Sequence, residues 1–487
     1  MNRLPTFDRR RAGILLHPSS LPGGDLGPDA YRFIDFLAAT STSVWQMLPL
    51  GPTHAHGSPY DCQSVHALDP RWLSQARLTQ DGWPRVSTDV QRPFDRLRAL
   101  HAHLLHPKAA ATRAHFETYC MHAAGWLEDY ALFRTLRDVH AGRPWWEWPP
   151  ELRDREPRTL DTVHETHGET LMLIRFEQFL LAQQFDALRH YAHTHDIRLF
   201  GDVPLFVSHD SADVWAHRAY FKLDALGQPR MVAGVPPDYF SATGQRWGNP
   251  LYDWERLQQD KFSWWLARLG TELARFDLLR IDHFRGFEAC WEIPAHDQTA
   301  INGHWMAVPG VAFFEQLQQR FGALPLVAED LGIITAEVNA LRDRFGLPGM
   351  LVMQFAFDGG PENPYLPHNH RRSAVVYTGT HDNNTTLGWY ASLTAPQRQH
   401  VDAYLDTREP MPHALMHAAL NSIAELAIVP MQDVLELGGE HRMNVPGVAD
   451  GNWHWQFAWE QLQPTAIDWW RAHVAQSGRA ARSGEPT

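Results

Sequence analysis

Short, nearly unbroken apolar stretches recur along the chain and stop at polar or glycine-containing segments. They fall at residues 13–17 (GILLH), 43–50 (SVWQMLPL), 197–207 (IRLFGDVPLFV) and 276–283 (FDLLRIDH). Four more follow at 324–330 (LPLVAED), 349–355 (GMLVMQF), 374–382 (AVVYTGTHD) and 427–434 (AIVPMQDV). A strand with one wet face alternates polar and apolar residues, whereas a parallel strand buried on both faces reads as a continuous apolar run. Between several of these runs the apolar spacing changes to three and four. Residues 171–195 place Leu173, Phe176, Leu180 and Leu188 on one helical stripe, and 308–321 do the same with Phe313, Phe314, Leu317 and Phe321. Residues 335–345 begin at an N-cap threonine and stop before Gly346, and 412–426 lead into the eighth run. Strand and helix alternating eight times predict an α/β fold of the (β/α)8 TIM-barrel type.

The spacing between runs is uneven. The longest gap lies between the second and third, the next between the third and fourth. Barrel enzymes carry such insertions after strands, on the face that performs chemistry. Residues 70–165 read as a mostly helical inserted subdomain. Residues 208–262, rich in Pro, Gly and aromatics, read as a loop structure over the barrel mouth. The small, polar stretch 475–487 is expected to fray. The whole of 1–487 is then one catalytic domain with insertions.

Composition narrows the partners. The 43 Lys+Arg against 56 Asp+Glu give a net charge of −13, which argues against a nucleic-acid surface built from clustered cations. Cys62, Cys120 and Cys290 stand far apart, so neither a disulfide framework nor a thiolate zinc site is expected, and a reducing, cytoplasmic setting fits. No apolar run reaches the length of about 18 residues that a membrane span requires. The 29 His include groups at 101, 103 and 106 and at 190, 193 and 195, none with H-E-x-x-H spacing, so no metal is expected. The 20 Trp include 145, 146 and 148 and the pair 453 and 455, set among Pro, Gly and Asn. Flat aromatic faces on loops suit sugar rings, although any single Trp is as readily core.

If the barrel forms, polar residues at the C-terminal ends of its strands are the candidates for chemistry. Asp282 ends the fourth run, Glu329 the fifth and Asp382 the seventh. Arg280 and Asp282 are two apart and share a strand face, where the guanidinium favours the charged carboxylate, as a nucleophile requires. Glu329 follows an apolar strand, and burial beside another carboxylate raises an acid's pKa, as a proton donor requires. One carboxylate nucleophile and one carboxylic acid make the retaining glycosidase pair. His283 and His381, each beside a carboxylate, could donate hydrogen bonds to substrate hydroxyls.

These segments resemble the amylomaltase (4-α-glucanotransferase) family, related to the α-amylases. The matching motifs are LLRIDHFRGFEACWEIP at 278–294, VAEDLG at 327–332, YTGTHDNNTTLGWY at 377–390 and GVPPDYFSATGQRWGNPLYDW at 234–254. LLHPSSLPG at 15–23, ENPYLPHNH at 362–370 and GNWHW at 451–455 extend the likeness over nearly the whole chain. The resemblance implies a barrel without a separate C-terminal β-domain. It also implies transfer of α-1,4-glucan segments between maltooligosaccharides, amylose or starch- and glycogen-derived glucans, with no cofactor or metal. Asp282 would be the nucleophile, Glu329 the acid/base and Asp382 the transition-state stabiliser. The implied substrate contacts are Arg280, His283, His381, Ser58, Tyr60, Asp213, Tyr239, Phe240, Gln245, Trp247, Asn249, Asp358 and Asn452. Two departures stand out: THAHG, with His54 and His56, replaces the family's G-Y-G-D before S-P-Y, and Asn384 stands where an Asp is usual.

Other readings are available to the same residues. Carboxylates at barrel strand ends also bind Mg2+ in carbon-acid enzymes, but Arg280 beside Asp282 would repel a cation and no Lys ends a run. A non-catalytic glucan-binding protein would need no full carboxylate set. A hydrolase shares both catalytic motifs, and the expectation of transfer rests on the 234–254 loop shielding the intermediate from water.

Overall fold

Among the described residues twelve strands form: β1 (Arg11–Leu15), β2 (Val44–Gln46), β3 (Arg198–Val203), β4 (Met231–Val235), β5 (Gln245–Pro250) and β6 (Leu278–Ile281). The remainder are β7 (Ala289–Pro294), β8 (His304–Ala307), β9 (Leu326–Ala328), β10 (Gly349–Val352), β11 (Ala374–Tyr377) and β12 (Leu426–Pro430). This computed structural model describes residues 7–86, 94–238, 241–448 and 450–481. Eight strands pair in parallel in the order β10-β11-β12-β1-β2-β3-β6-β9. The Ala328 amide, at the end of β9, donates to Pro348 O at 2.8 Å, just before β10, and this draws the two edges of a nearly closed barrel together. Each barrel strand coincides with one of the eight apolar runs.

Burial follows from the two-residue repeat of a strand. Phe200, Leu278, Val327, Val375 and Tyr377 pack with Val44, Met350 and Ile428 in the barrel interior. Their neighbours Leu199, Leu279, Ile281, Leu326 and Ala328 face the surrounding helices instead. Counting two residues on from the inward set brings Asp202, Arg280 and then Asp282, and likewise Glu329, to the same interior side at the strand ends. Register finishes the placement, because Arg280 on β6 lies opposite Asp202 on β3 and Val327 on β9.

The described residues of the first insertion are largely helical. A helix at Ala110–Val139 lies along the long helix Pro157–Thr194, which kinks at His167 and runs directly into β3. Arg134 and Glu177 form an ion pair between these two helices.

The second insertion corrects the sequence reading. Residues 208–262 hold β4 and β5, which join β7 and β8 in a four-stranded antiparallel sheet ordered β5-β4-β7-β8. Two strands therefore come from the excursion after β3 and two from the segment just beyond Asp282. The excursion expected as loop thus supplies half of a small antiparallel sheet.

The last element among the described residues is the helix Pro464–Gln476. The stretch expected to fray is anchored as far as Ala481, and residues 482–487 lie outside the described part. Arg479 is fully buried and donates to the carbonyls of Leu420 (2.7 Å), Arg11 (2.9 Å), Ser422 (2.8 Å) and Ala424 (2.8 Å). Those carbonyls surround the entry to β1 and β12, and Arg9 adds a bond of 2.8 Å to Ala480 O. No described helix is long and apolar enough to cross a membrane.

Candidate active site

At the C-terminal ends of the barrel strands lies an open cleft of about 1040 Å3. Asp282, His283, His381 and Asp382 line its floor, with Ser58 and Tyr60 on one wall and Trp247 and Asn249 on another. Arg280 organises the floor. One guanidinium nitrogen donates to Asp202 Oδ2 at 2.7 Å and the other to Asp282 Oδ1 at 2.7 Å. The Tyr60 hydroxyl donates to the same Asp202 oxygen at 2.7 Å. Burial alone would lower the Arg280 pKa, but Asp202 and Asp282 outweigh it and raise it well above the usual arginine value. A fixed cation thus holds one oxygen of Asp282 and leaves the other toward the cleft.

Glu329 sits in a different environment. Its Oε2 accepts from the His283 amide at 2.7 Å and its Oε1 from the Leu331 amide at 3.0 Å. Those bonds and Arg280 favour the ionised form, yet burial and the charge of Asp282 prevail and push the pKa up to about 7. His283 has the left-handed backbone angle φ 51°, which turns its amide toward Glu329 immediately after Asp282. The acid and the Asp282 carboxylate are therefore neighbours through a single peptide unit. Burial lowers the His283 ring pKa to about 4, so the imidazole is neutral at pH 7.

Asp382 is the most open of the three carboxylates. Asn444 donates to its Oδ1 at 2.6 Å and Arg442 to its main-chain oxygen at 2.8 Å. His381 Nε2 lies 3.4 Å from its other oxygen, and the ring stacks on Tyr60 with centroids 5.1 Å apart.

Comparison with known proteins identifies the family. The sequence profile of the 4-alpha-glucanotransferases, a glycoside hydrolase family, matches residues 15–463. The chain belongs to the 4-alpha-glucanotransferase family. It is 47% identical to the Thermus thermophilus 4-alpha-glucanotransferase over 93% of this chain and 96% of that one. The Synechocystis 4-alpha-glucanotransferase is 45% identical over 96% and 97% of the two chains. The solved structure of a Streptococcus agalactiae amylomaltase in complex with acarbose superposes with a TM-score of 0.91 at 32% identity, covering 97% of this chain and all of that one. Family membership makes the chain a glycoside-transferring enzyme of the amylomaltase type.

The positions named from the sequence fall into four groups. Asp282, His283, His381, Asp382, Ser58, Tyr60, Trp247 and Asn249 converge on the cleft. Arg280 and Glu329 sit beneath it, and Gln245 holds the Trp247 indole by accepting from Nε1 at 3.1 Å. Asp213, Asp358 and Asn452 are not brought to the cleft lining. Asp213 is buried, accepts from the Val65 amide at 2.9 Å, and has its pKa pushed up to about 6 by that burial. Asn452 is buried too, bridging the Val445 amide and Val448 O at 2.8 Å each, so it shapes the loop that brings Gly447 and Val448 to the rim. Asp358 is exposed beyond β10. Tyr239 and Phe240 lie outside the described residues.

The family departures are also located. His54 bonds Ser208 at 3.1 Å and His56 bonds Asp61 at 2.8 Å, both on the cleft wall. Asn384 turns away from the cleft toward Gly388 and Gly439; a Cβ at Gly388 would lie 2.4 Å from its side-chain oxygen. Of the tryptophan cluster, Trp145 and Trp148 are core, while Trp146 stacks on His209 at 3.9 Å and reaches the cleft.

Asp202 and Asn444 were not singled out from the sequence, whereas Trp146 stands in the aromatic group read there as suited to sugar rings. Asp202 had a usable signal: it lies two residues after inward Phe200, as Asp282 lies two after Arg280.

Proposed function

We propose that the chain transfers α-1,4-glucan segments from a donor maltooligosaccharide or amylose to the 4-hydroxyl of an acceptor glucan, by two displacements with retention. The observation that supports this most is the pairing of two unlike carboxyl groups. Asp282 is fixed on a cation, whereas Glu329 hangs on the next residue's amide with a pKa near 7. In the first displacement the free oxygen of Asp282 attacks the anomeric carbon while Glu329 protonates the departing glycosidic oxygen. In the second, ionised Glu329 takes the proton of the acceptor 4-hydroxyl, which attacks the glucosyl ester and restores Asp282. Asp382 holds substrate hydroxyls and favours the oxocarbenium-like transition state. Neutral His283, whose buried Nε2 has no protein partner, is suited to a hydroxyl contact, as is His381.

Incubation with maltotriose tests the proposal. Transfer yields glucose together with a ladder of longer maltooligosaccharides at constant total reducing ends. A steady rise in reducing ends without a ladder would mean hydrolysis, and unchanged maltotriose would mean binding alone.

Trp247 is 40% exposed, with its ring edge-on to His283 at 4.9 Å, and offers a face to a glucose ring. Trp247→Ala is expected to raise KM about 2- to 12-fold, the equivalent of about 0.5–1.5 kcal/mol of lost stacking, with a smaller change in kcat. An unchanged KM would remove Trp247 from the donor site.

A further inference from the structure

Away from the cleft, the outer face of the barrel gathers a second set of chemically active side chains. Glu409 precedes the helix His413–Asn421, His417 lies within it, and His473 belongs to the final helix Pro464–Gln476. One ligand atom from each lies within 4.8 Å of the others. The two oxygens of Glu409 face separate rings, with Oε2 3.1 Å from His417 Nδ1 and Oε1 3.2 Å from His473 Nε2.

The far side of His473 decides what its near side can be. His473 Nδ1 lies 2.8 Å from the carbonyl oxygen of Trp469. A carbonyl only accepts, so Nδ1 carries the ring proton, and in the neutral imidazole Nε2 presents a lone pair. That lone pair faces a carboxylate oxygen, and two acceptors at such a distance repel. Either a second proton or a cation must stand between them. The ring is also held from turning away, because Trp469 is sandwiched between His473 at 3.9 Å and His413 at 4.2 Å.

We propose that Glu409, His417 and His473 form a binding site for a divalent cation of the zinc class, with solvent completing the coordination. Two imidazoles and one carboxylate suit such an ion better than Mg2+ or Ca2+, which prefer all-oxygen sets. Zinc bonds of about 2.0–2.1 Å in a tetrahedron put neighbouring ligand atoms about 3.3 Å apart; Glu409 Oε1 and His473 Nε2 already stand at 3.2 Å, and His417 needs only to close in from within 4.8 Å. The Nδ1–H bond to a main-chain carbonyl is the support that orients a ligating histidine. The ion would fasten the loop and helix leading into β12 to the final helix, whose end is locked by Arg479 under the barrel. Its role is structural, remote from Asp282.

The test uses the full chain, stripped with a chelator and titrated calorimetrically with Zn2+, followed by thermal melts with and without the metal. The wild type should take up one strongly held Zn2+, and His417→Ala or His473→Ala should weaken that event at least about 10-fold. Zn2+ should raise the wild-type Tm and leave the variants' Tm unmoved. Weak binding to other histidines appears equally in every protein and cancels in the comparison. Should either variant misfold, Glu409→Gln provides the same comparison with a side chain of nearly equal size. A wild type that binds Zn2+ no better than the variants overturns the proposal and leaves a protonated His473 as the link to Glu409.

Discussion

Asp282→Asn is expected to abolish glucan transfer, with kcat on maltotriose falling on the order of 10⁴–10⁶-fold, the loss seen when a covalent nucleophile is removed from an otherwise intact site. The fold should survive. The remaining side-chain oxygen can still accept from Arg280, and Asp202 continues to pair with that guanidinium. An amide oxygen is too poor a nucleophile to open a glycosidic bond, and its nitrogen carries no available lone pair. The chemical counterpart is a mass shift: a slow-turnover fluorinated donor should label the wild-type peptide containing Asp282 and leave the variant unlabelled. Substantial turnover by the variant, or a label found on another residue, would refute the nucleophile assignment.

Glu329→Gln comes next in size, with an expected loss on the order of 10²–10⁴-fold for maltooligosaccharide donors, the usual contribution of a general acid–base residue. Gln can neither protonate a leaving oxygen nor deprotonate an incoming one. The defect should shrink for donors whose leaving group needs no proton. The pH profile adds a second signature. A pKa near 7 means that the protonated acid is lost as pH rises through that value, so wild-type kcat/KM should fall on the alkaline side from about pH 7. The variant should lack this limb. Near-normal turnover of the variant on maltodextrin, or an unaltered alkaline limb, would assign the proton transfer elsewhere.

The barrel was legible because its strands are buried on both faces, so sequence pattern and three-dimensional burial coincide. Phe200, Leu278, Val327 and Val375 each sit inside a run and inside the core. The strand-end carboxylates followed from position alone. What stayed hidden depended on pairing between distant segments. Asp202 reads as one polar interruption in an apolar run, and its importance emerges only when register sets it against Arg280. The small sheet was missed because β5 is largely exposed and β8 more so, leaving no core-like signature in either. Asn452 and Asp213 show the converse. The resemblance implies substrate contacts for both, but here they bond main-chain groups behind the cleft wall, where they hold loops in shape.

Arg479 and Arg9 have a practical corollary. Because Arg9 reaches Ala480 O and Arg479 reaches Arg11 O, the early and late parts of the polypeptide are stitched together at the pole opposite the carboxylates. A tether attached near Ala481 would present the cleft outward from a support, and a short bridge between the two ends would allow the chain to be reopened at a rim loop without disturbing the barrel.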